Sequence, residues 1–200
     1  MKQQHDLYLF NEQQRQITLT TYQRELAQLL LQYKDDLDDD NKTASIVART
    51  ITLYALRQLD SVRQGYIIQY LYDLNLITTN HTFVNISAVD LTNTIFPKGV
   101  YNSIDLSRTI LENATLQQIS LINANFAVAI MHNVKLQLSN CTNVNFMFAQ
   151  LQSSDFTNVD VTNATFSNTN LRGSNINTDQ LLKAKTLQGA ILPNGTVYSG

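Results

Sequence analysis

The sequence predicts an α+β chain. About three α-helices occupy residues 1–80, a square parallel β-solenoid residues 81–181, and a capping segment and tail residues 182–200. Three observations predict it. Apolar residues in the first part step by three and four. Those in the second part step by five without a slip. A second position, kept small or β-branched, runs in phase two residues before each of them.

The helices come first. Leu19, Tyr22, Leu26, Leu29, Leu30 and Tyr33 form an amphipathic stripe, the pattern of a helix with one face against a core. An acidic break, Asp35-Asp36-Leu37-Asp38-Asp39-Asp40, follows and reads as a solvated linker. Thr43 is placed to cap a densely apolar second helix, ASIVARTITLYALRQL. Asp60 is placed to cap a third, SVRQGYIIQYLYDL, and Asn75 to end it. Short polar side chains satisfy the free N–H groups at a helix start, and Asn tolerates the left-handed conformation at its end.

After residue 80 the centres run Ile86, Leu91, Phe96, Tyr101, Leu106, Leu111 and onward through Phe146, Phe156, Phe166 and Ile176 to Leu181, twenty consecutive positions. The positions two before them include Val84, Thr94, Ala114, Ala124, Ala129, Ser139, Ser154, Ala164 and Ser174. A short extended segment turns residues i−2 and i to the same side, and a turn consumes the rest of the five. Four such segments make one square coil of 20 residues. Twenty pentads give roughly five coils, a rod about 24 Å long at the ~4.8 Å spacing of paired strands. Asn, Asp, Ser and Thr supply turn hydrogen bonds, so a solenoid with few Gly and Pro is feasible.

The units ANF (124–126), VNF (144–146), SDF (154–156) and TNL (169–171) follow the pattern A-(D/N)-L-x-x, which resembles the pentapeptide-repeat family. The resemblance covers about residues 81–181 and implies a right-handed quadrilateral parallel β-helix. The segment ARTITLYALRQLDSVRQGYIIQYLYDLNLI (48–77) is similar to a helical region that precedes the repeats in some members. TDQLLKAKTLQGAILPNG (178–195) is similar to the family's closing segment. In such members the helical region can follow membrane-spanning helices. The resemblance therefore also implies a possible second setting for this chain, the cytoplasmic domain of a membrane-tethered protein.

A solenoid leaves unpaired strand edges at both ends, which must be covered. The third helix is the expected cap of the first coil. DQLLKAK (179–185) and LQGAILP are the expected cap of the last, with Pro193 and Gly195 ending ordered structure. Residues twenty apart stack on one face, so the outward positions can be grouped. Most are Asn, Asp, Gln, Ser or Thr. The exception is one corner where Ile110 and Ile130, in the i−1 slot of one face, meet Val128 and Phe148, in the i+2 slot of the adjoining face, with Met147 beside them. This corner is the candidate partner or self-association patch; the competing expectation is that the N-terminal helix folds back over it, or that it is scattered surface apolarity.

Catalytic chemistry is not expected. His5, His81 and His132 are far apart, and no His/Cys cluster has metal-ligand spacing. Asp36, Asp38 and Asp40 lack the loop glycine (Asn41 stands there) and the closing acid (Val47) of a calcium loop. No glycine-rich phosphate loop occurs among the six glycines. Cys141 takes a core position, and Asp155 and Asp160 lie on neighbouring faces rather than as an acid–base pair. No cofactor or metal is expected. The lone cysteine suits a reducing compartment, no secretory signal or membrane span is read, and the expected location is cytoplasmic.

Net charge is −2, and the repeats carry six acids (Asp90, Asp105, Glu112, Asp155, Asp160, Asp179) against four bases (Lys98, Arg108, Lys135, Arg172). Nucleic-acid binding is thus not expected. A DNA-mimicking inhibitor or protector of a topoisomerase, known in the family, is the alternative. It is disfavoured because duplex DNA carries one charge per ~1.7 Å. The function expected is a non-enzymatic, rigid structural or protein–protein interaction module, acting on an unknown protein partner or on itself.

Overall fold

The computed structural model describes residues 2–33 and 42–199. Three long helices lead the chain: α1 (Lys2–Gln32), α2 (Lys42–Gln58) and α3 (Ser61–Asp73). A one-turn helix, α4 (Thr178–Leu181), follows the repeats. The acidic run Asp35–Asp40, with its linker and calcium readings, lies outside the described residues.

The stripe from Leu19 onward does pack inward: Leu19, Tyr22 and Leu26 are buried, and Leu29, Leu30 and Tyr33 rest against the same core. The helix itself begins seventeen residues earlier than that stripe, because helical backbone needs no buried face to continue a well-nucleated Gln/Leu-rich run. α2 runs back along α1, and the Tyr22 hydroxyl meets Thr52 Oγ1 at 3.0 Å in the buried seam. Thr43 lies within the first turn of α2 rather than at its cap. Asp60 does cap α3, its Oδ1 accepting from the amides of Val62 and Arg63 at 3.1 and 3.0 Å. At the other end Asn75 takes φ 57° and donates its amide to the Tyr72 carbonyl at 2.8 Å. Arg63 then ties α3 to α1 by pairing with both Asp60 and Glu12.

From Asp90 on, parallel bridges join residues twenty apart: Asp90 to Ile110, Ile110 to Ile130, Ile130 to Gln150 and Gln150 to Asn170, with three sister series on the other sides. The bridge residue is the i−1 position of each pentad. The sequence reading expected short extended segments; the sides are shorter still, one bridged residue each. The reason is geometric. The amide of i+3 donates to the carbonyl of i, as in Thr94 to Leu91 (3.1 Å) and Ala129 to Phe126 (3.1 Å). The i+2 residue sits at φ 54–63° from Asn93 to Asn168, Lys98 excepted, with Gly173 at 72°. That is a turn of the type II pattern, and it keeps the bridged stretch of each side to the single residue i−1.

Where the i−1 residue is Asp or Asn, its side chain closes the turn. Asn125 Oδ1 accepts from the Ala127 amide, Asn145 Oδ1 from Met147, and Asp155 Oδ1 from Thr157, which explains the Asp/Asn at that slot. The centres fill the interior, where Phe126, Phe146 and Phe166 stack at 5.6 and 5.2 Å. Phe156 meets Phe146 and Phe166 edge-on. The narrow slot accepts hydroxyls where they find a carbonyl: Ser154 Oγ donates to Met131 at 2.8 Å and Thr169 Oγ1 to Phe146 at 2.6 Å.

Both ends are covered by non-repeating chain. At the start, α3 lies against the first coil. The Ile95 amide donates to the Ser61 carbonyl (2.9 Å), the Asp105 amide to Ile77 (2.8 Å), and the Tyr72 hydroxyl to the Asn102 carbonyl (3.0 Å). Gly65 makes this possible, since a Cβ there would stand 1.9 Å from the Ile95 carbonyl oxygen.

The far end departs from the five-residue rule. Leu181, the twentieth expected centre, is only half-buried, and Gln180 takes the inner place. Its Nε2 donates to the Phe156 and Val159 carbonyls at 2.8 and 2.9 Å, satisfying acceptors that another coil would have paired. The next bridges, Thr165 to Thr186 and Asn170 to Ile191, are offset by 21. Order does not stop at Pro193 and Gly195 as expected. The chain turns there, and Val197 pairs back antiparallel with Ile191.

Two outcomes follow from this packing. Gly65→Ala should destabilise by about 1–3 kcal/mol through overpacking, lowering Tm by roughly 2–4 °C per kcal/mol in a chain of this size; thermal unfolding followed by circular dichroism reads it. Asp155 is the second. Partial burial works to raise its pKa, but hydrogen bonds from Thr157, Asn175 and Gln137 outweigh it and hold the carboxyl at about 2, below the ordinary 3.8. Its contribution is complete above 3.8 and is lost as pH falls towards 2. Urea unfolding across that window should show falling stability for the wild type and a flatter profile for Asp155→Asn.

Candidate functional site

The apolar corner is built by the turn that follows one side of the coil and the bridge residue that opens the next. Val128 and Phe148 both occupy the left-handed i+2 position, at φ 63° and 59°. One coil separates them, and the Val128 amide donates to the Met147 carbonyl at 2.9 Å. Ile110 and Ile130 are bridged to each other on the adjoining side. Thus all five residues are brought together. Val128 and Phe148 are 48% and 49% exposed, Met147 is 37% exposed, and the two isoleucines are half-buried.

Val128, Met147 and Phe148 stay exposed beside the described helices. The helices engage the first coil through Asn85, Ser87, Ile95 and Asn102, and Leu53, Leu56 and Arg57 of α2 line a cavity with Ala88 and Asp90, lower in the same two stacked series. The expectation that the N-terminal helix folds over the corner does not hold, because the capping bonds anchor α3 across the end of the coil.

The corner has a feature invisible in the period-five pattern. A left-handed backbone suits Gly or Asn; for a β-branched or bulky residue it is an outlier costing roughly 1–2 kcal/mol. In this series Asn holds the position at 93, 113, 123, 133, 143, 158, 163 and 168. Of the large apolar residues that take it, Val128, Leu138 and Phe148, only Val128 and Phe148 stack directly.

Most of the remaining repeat surface is polar, with Ile95, Val100 and Leu138 as exposed apolar exceptions, and many of its polar groups are mutually engaged. Asn123, Asn143 and Asn163 form a side-chain ladder at 3.0 and 2.6 Å, and Asp105, Asn125 and Asn145 form another at 3.2 and 3.1 Å. His132 Nδ1 meets Glu112 at 3.0 Å; His5 lies in α1 and His81 precedes the first parallel bridge at Asp90. Cys141 is fully buried, and burial together with the charge of Asp160 pushes its thiol up, away from thiolate chemistry. Among the described residues no group of three His, Cys, Asp or Glu could hold a metal, and no helix is long and apolar enough to cross a membrane.

Residues 103–137 and 139–177 match the family model for pentapeptide repeats, in eight copies. A comparison with curated proteins returned no significant match. Several solved structures are similar. One is HetL, a pentapeptide repeat protein involved in heterocyst differentiation regulation from the cyanobacterium Nostoc sp. It is 22% identical over 59% of this chain and 63% of that one, with a TM-score of 0.31. Rfr23 from the cyanobacterium Cyanothece is 19% identical over 55% of this chain and 88% of that one, TM-score 0.32. QnrB1, a plasmid-mediated fluoroquinolone resistance protein, is 16% identical over 55% and 77%, TM-score 0.28. The matched part thus spans under two thirds of HetL, and superpositions this loose carry no argument about activity.

Proposed function

We propose that this chain, a pentapeptide-repeat protein capped by an N-terminal helical region, is a non-enzymatic, rigid module that binds another protein through the corner Ile110, Val128, Ile130, Met147 and Phe148. The observation that carries the reading is the coincidence of exposure and backbone strain. Two stacked positions that coil geometry would give to Asn instead hold a valine and a phenylalanine, both half exposed. Strain of this kind persists where the surrounding structure holds it and is concentrated at functional surfaces. The scaffold we attach to the reading is a right-handed winding of about five coils, supported by the twenty-residue step of the bridges. A reducing, cytoplasmic setting is supported by the single, buried cysteine.

The DNA-mimic alternative finds no support in the charge, six acids against four bases over the repeats, or in the apolar character of the corner.

The strain supplies the test. Val128→Asn and Phe148→Asn should each raise stability, by up to about 1 kcal/mol, since Asn relieves the left-handed penalty. Phe148→Asp should weaken capture of a partner by the intact chain and by the repeat half alike. Raised stability with undiminished capture would reduce the corner to tolerated strain.

A further inference from the structure

α1 extends beyond the body it packs on. Residues 3–11 are exposed all round, and among them Leu7, Tyr8, Leu9 and Phe10 are each more than half exposed. A helix turn that is apolar on every side is normally covered. The outer face of α1 also carries a regular seam: Leu7, Phe10, Gln14, Ile17 and Thr21 step by three and four, which places them on one face. That face is opposite the buried stripe of Leu19, Tyr22 and Leu26, and it borders a groove between α1 and α2. Two cavities of about 230 and 300 Å³ lie along the groove, lined by Ile17, Tyr22, Glu25, Val47, Ile51 and Tyr54. No described residue fills them.

We propose that the occupant is a second copy of the chain, its α1 overhang lying antiparallel in this groove and receiving the other overhang in return. Three features support a second copy. The seam is self-complementary: an antiparallel pairing centred on Gln14 sets Leu7 opposite Thr21 and Phe10 within one residue of Ile17, while Gln14 meets its own counterpart. A polar residue at the centre of such a seam fixes register. The same register brings Asp6 within about one turn of Arg24 of the second copy, opposite in charge. The area suffices: at roughly 200 Å² per large side chain, the exposed fractions of Leu7, Phe10, Ile17 and Tyr54, 60%, 57%, 48% and 68%, give roughly 500 Å² per copy. The pair thus buries about 1,000 Å², the floor for a stable interface. A two-fold arrangement of this kind uses one patch twice and closes. It involves α1 and α2 alone, leaving the repeat corner free.

The test is the mass and the register. Sedimentation of the intact chain should give twice the chain mass, and Leu7→Glu with Phe10→Glu should halve it while the far-ultraviolet circular dichroism of the folded chain is retained, since both side chains are exposed on the single chain. Under mild oxidation Gln14→Cys should form a disulfide-linked dimer and Leu31→Cys should not, because in this register the two copies' positions 31 lie 17 residues either side of the two-fold, about 50 Å apart along the helices. A monomeric wild type, or equal cross-linking at 14 and 31, would overturn the proposal. So would a monomer that floats with neutral phosphatidylcholine vesicles and loses this on Leu7→Glu/Phe10→Glu, which would assign the overhang to a lipid surface.

Discussion

The repeat half depends on the backbone bonds that join one coil to the next. The amides of Leu91, Leu111 and Met131 donate to the carbonyls of Ile110, Ile130 and Gln150, all at 2.7–2.8 Å. The bridge amides donate in the other direction, Ile110 to Val89 and Ile130 to Thr109, at 2.9 Å. These bonds can form only if each side of the coil contains the same number of residues, because one residue too many would turn a core side chain outward. Five per side is thus a condition of pairing, and the aromatic stack of Phe126, Phe146 and Phe166 can form because the ladder holds register.

A ladder of this kind stabilises its middle and exposes its ends. The chain deals with the two ends differently. At the start a whole helix is laid on the coil, close enough that Gly65 is the residue that fits against the Ile95 carbonyl. At the finish a single amide side chain, Gln180, bonds two carbonyls, and the last turn of chain shifts register by one residue. The helical region is therefore part of what makes the repeats a closed unit, and its own outward face is what remains to be covered.

The candidate corner was legible in part. Its membership follows from stacking residues twenty apart, and the structure brings the five together. Their cost to the backbone was not legible, since a period-five pattern says which residues share a face but nothing about φ. The α1 overhang was missed for a different reason. Its seam is written in the sequence, as Leu7, Phe10, Gln14, Ile17 and Thr21, yet two of the five are polar, and only the exposure of Leu7 and Phe10 reveals that nothing in the described chain lies over it.

By itself the sequence determined the change from three-and-four spacing to five, the twenty-residue stacking, the inward centres, the Asp60 cap and the end of α3 at Asn75. Each is set by local periodicity or by a side chain bonding its own turn, so each is written within a few residues. Only the tertiary structure decided that α1 starts at Lys2, that Thr43 falls inside α2, that Gln180 displaces Leu181, and that the chain past Pro193 returns to pair Val197 with Ile191. Those outcomes rest on which carbonyls and amides stand unpaired at an edge, and that depends on residues distant in sequence.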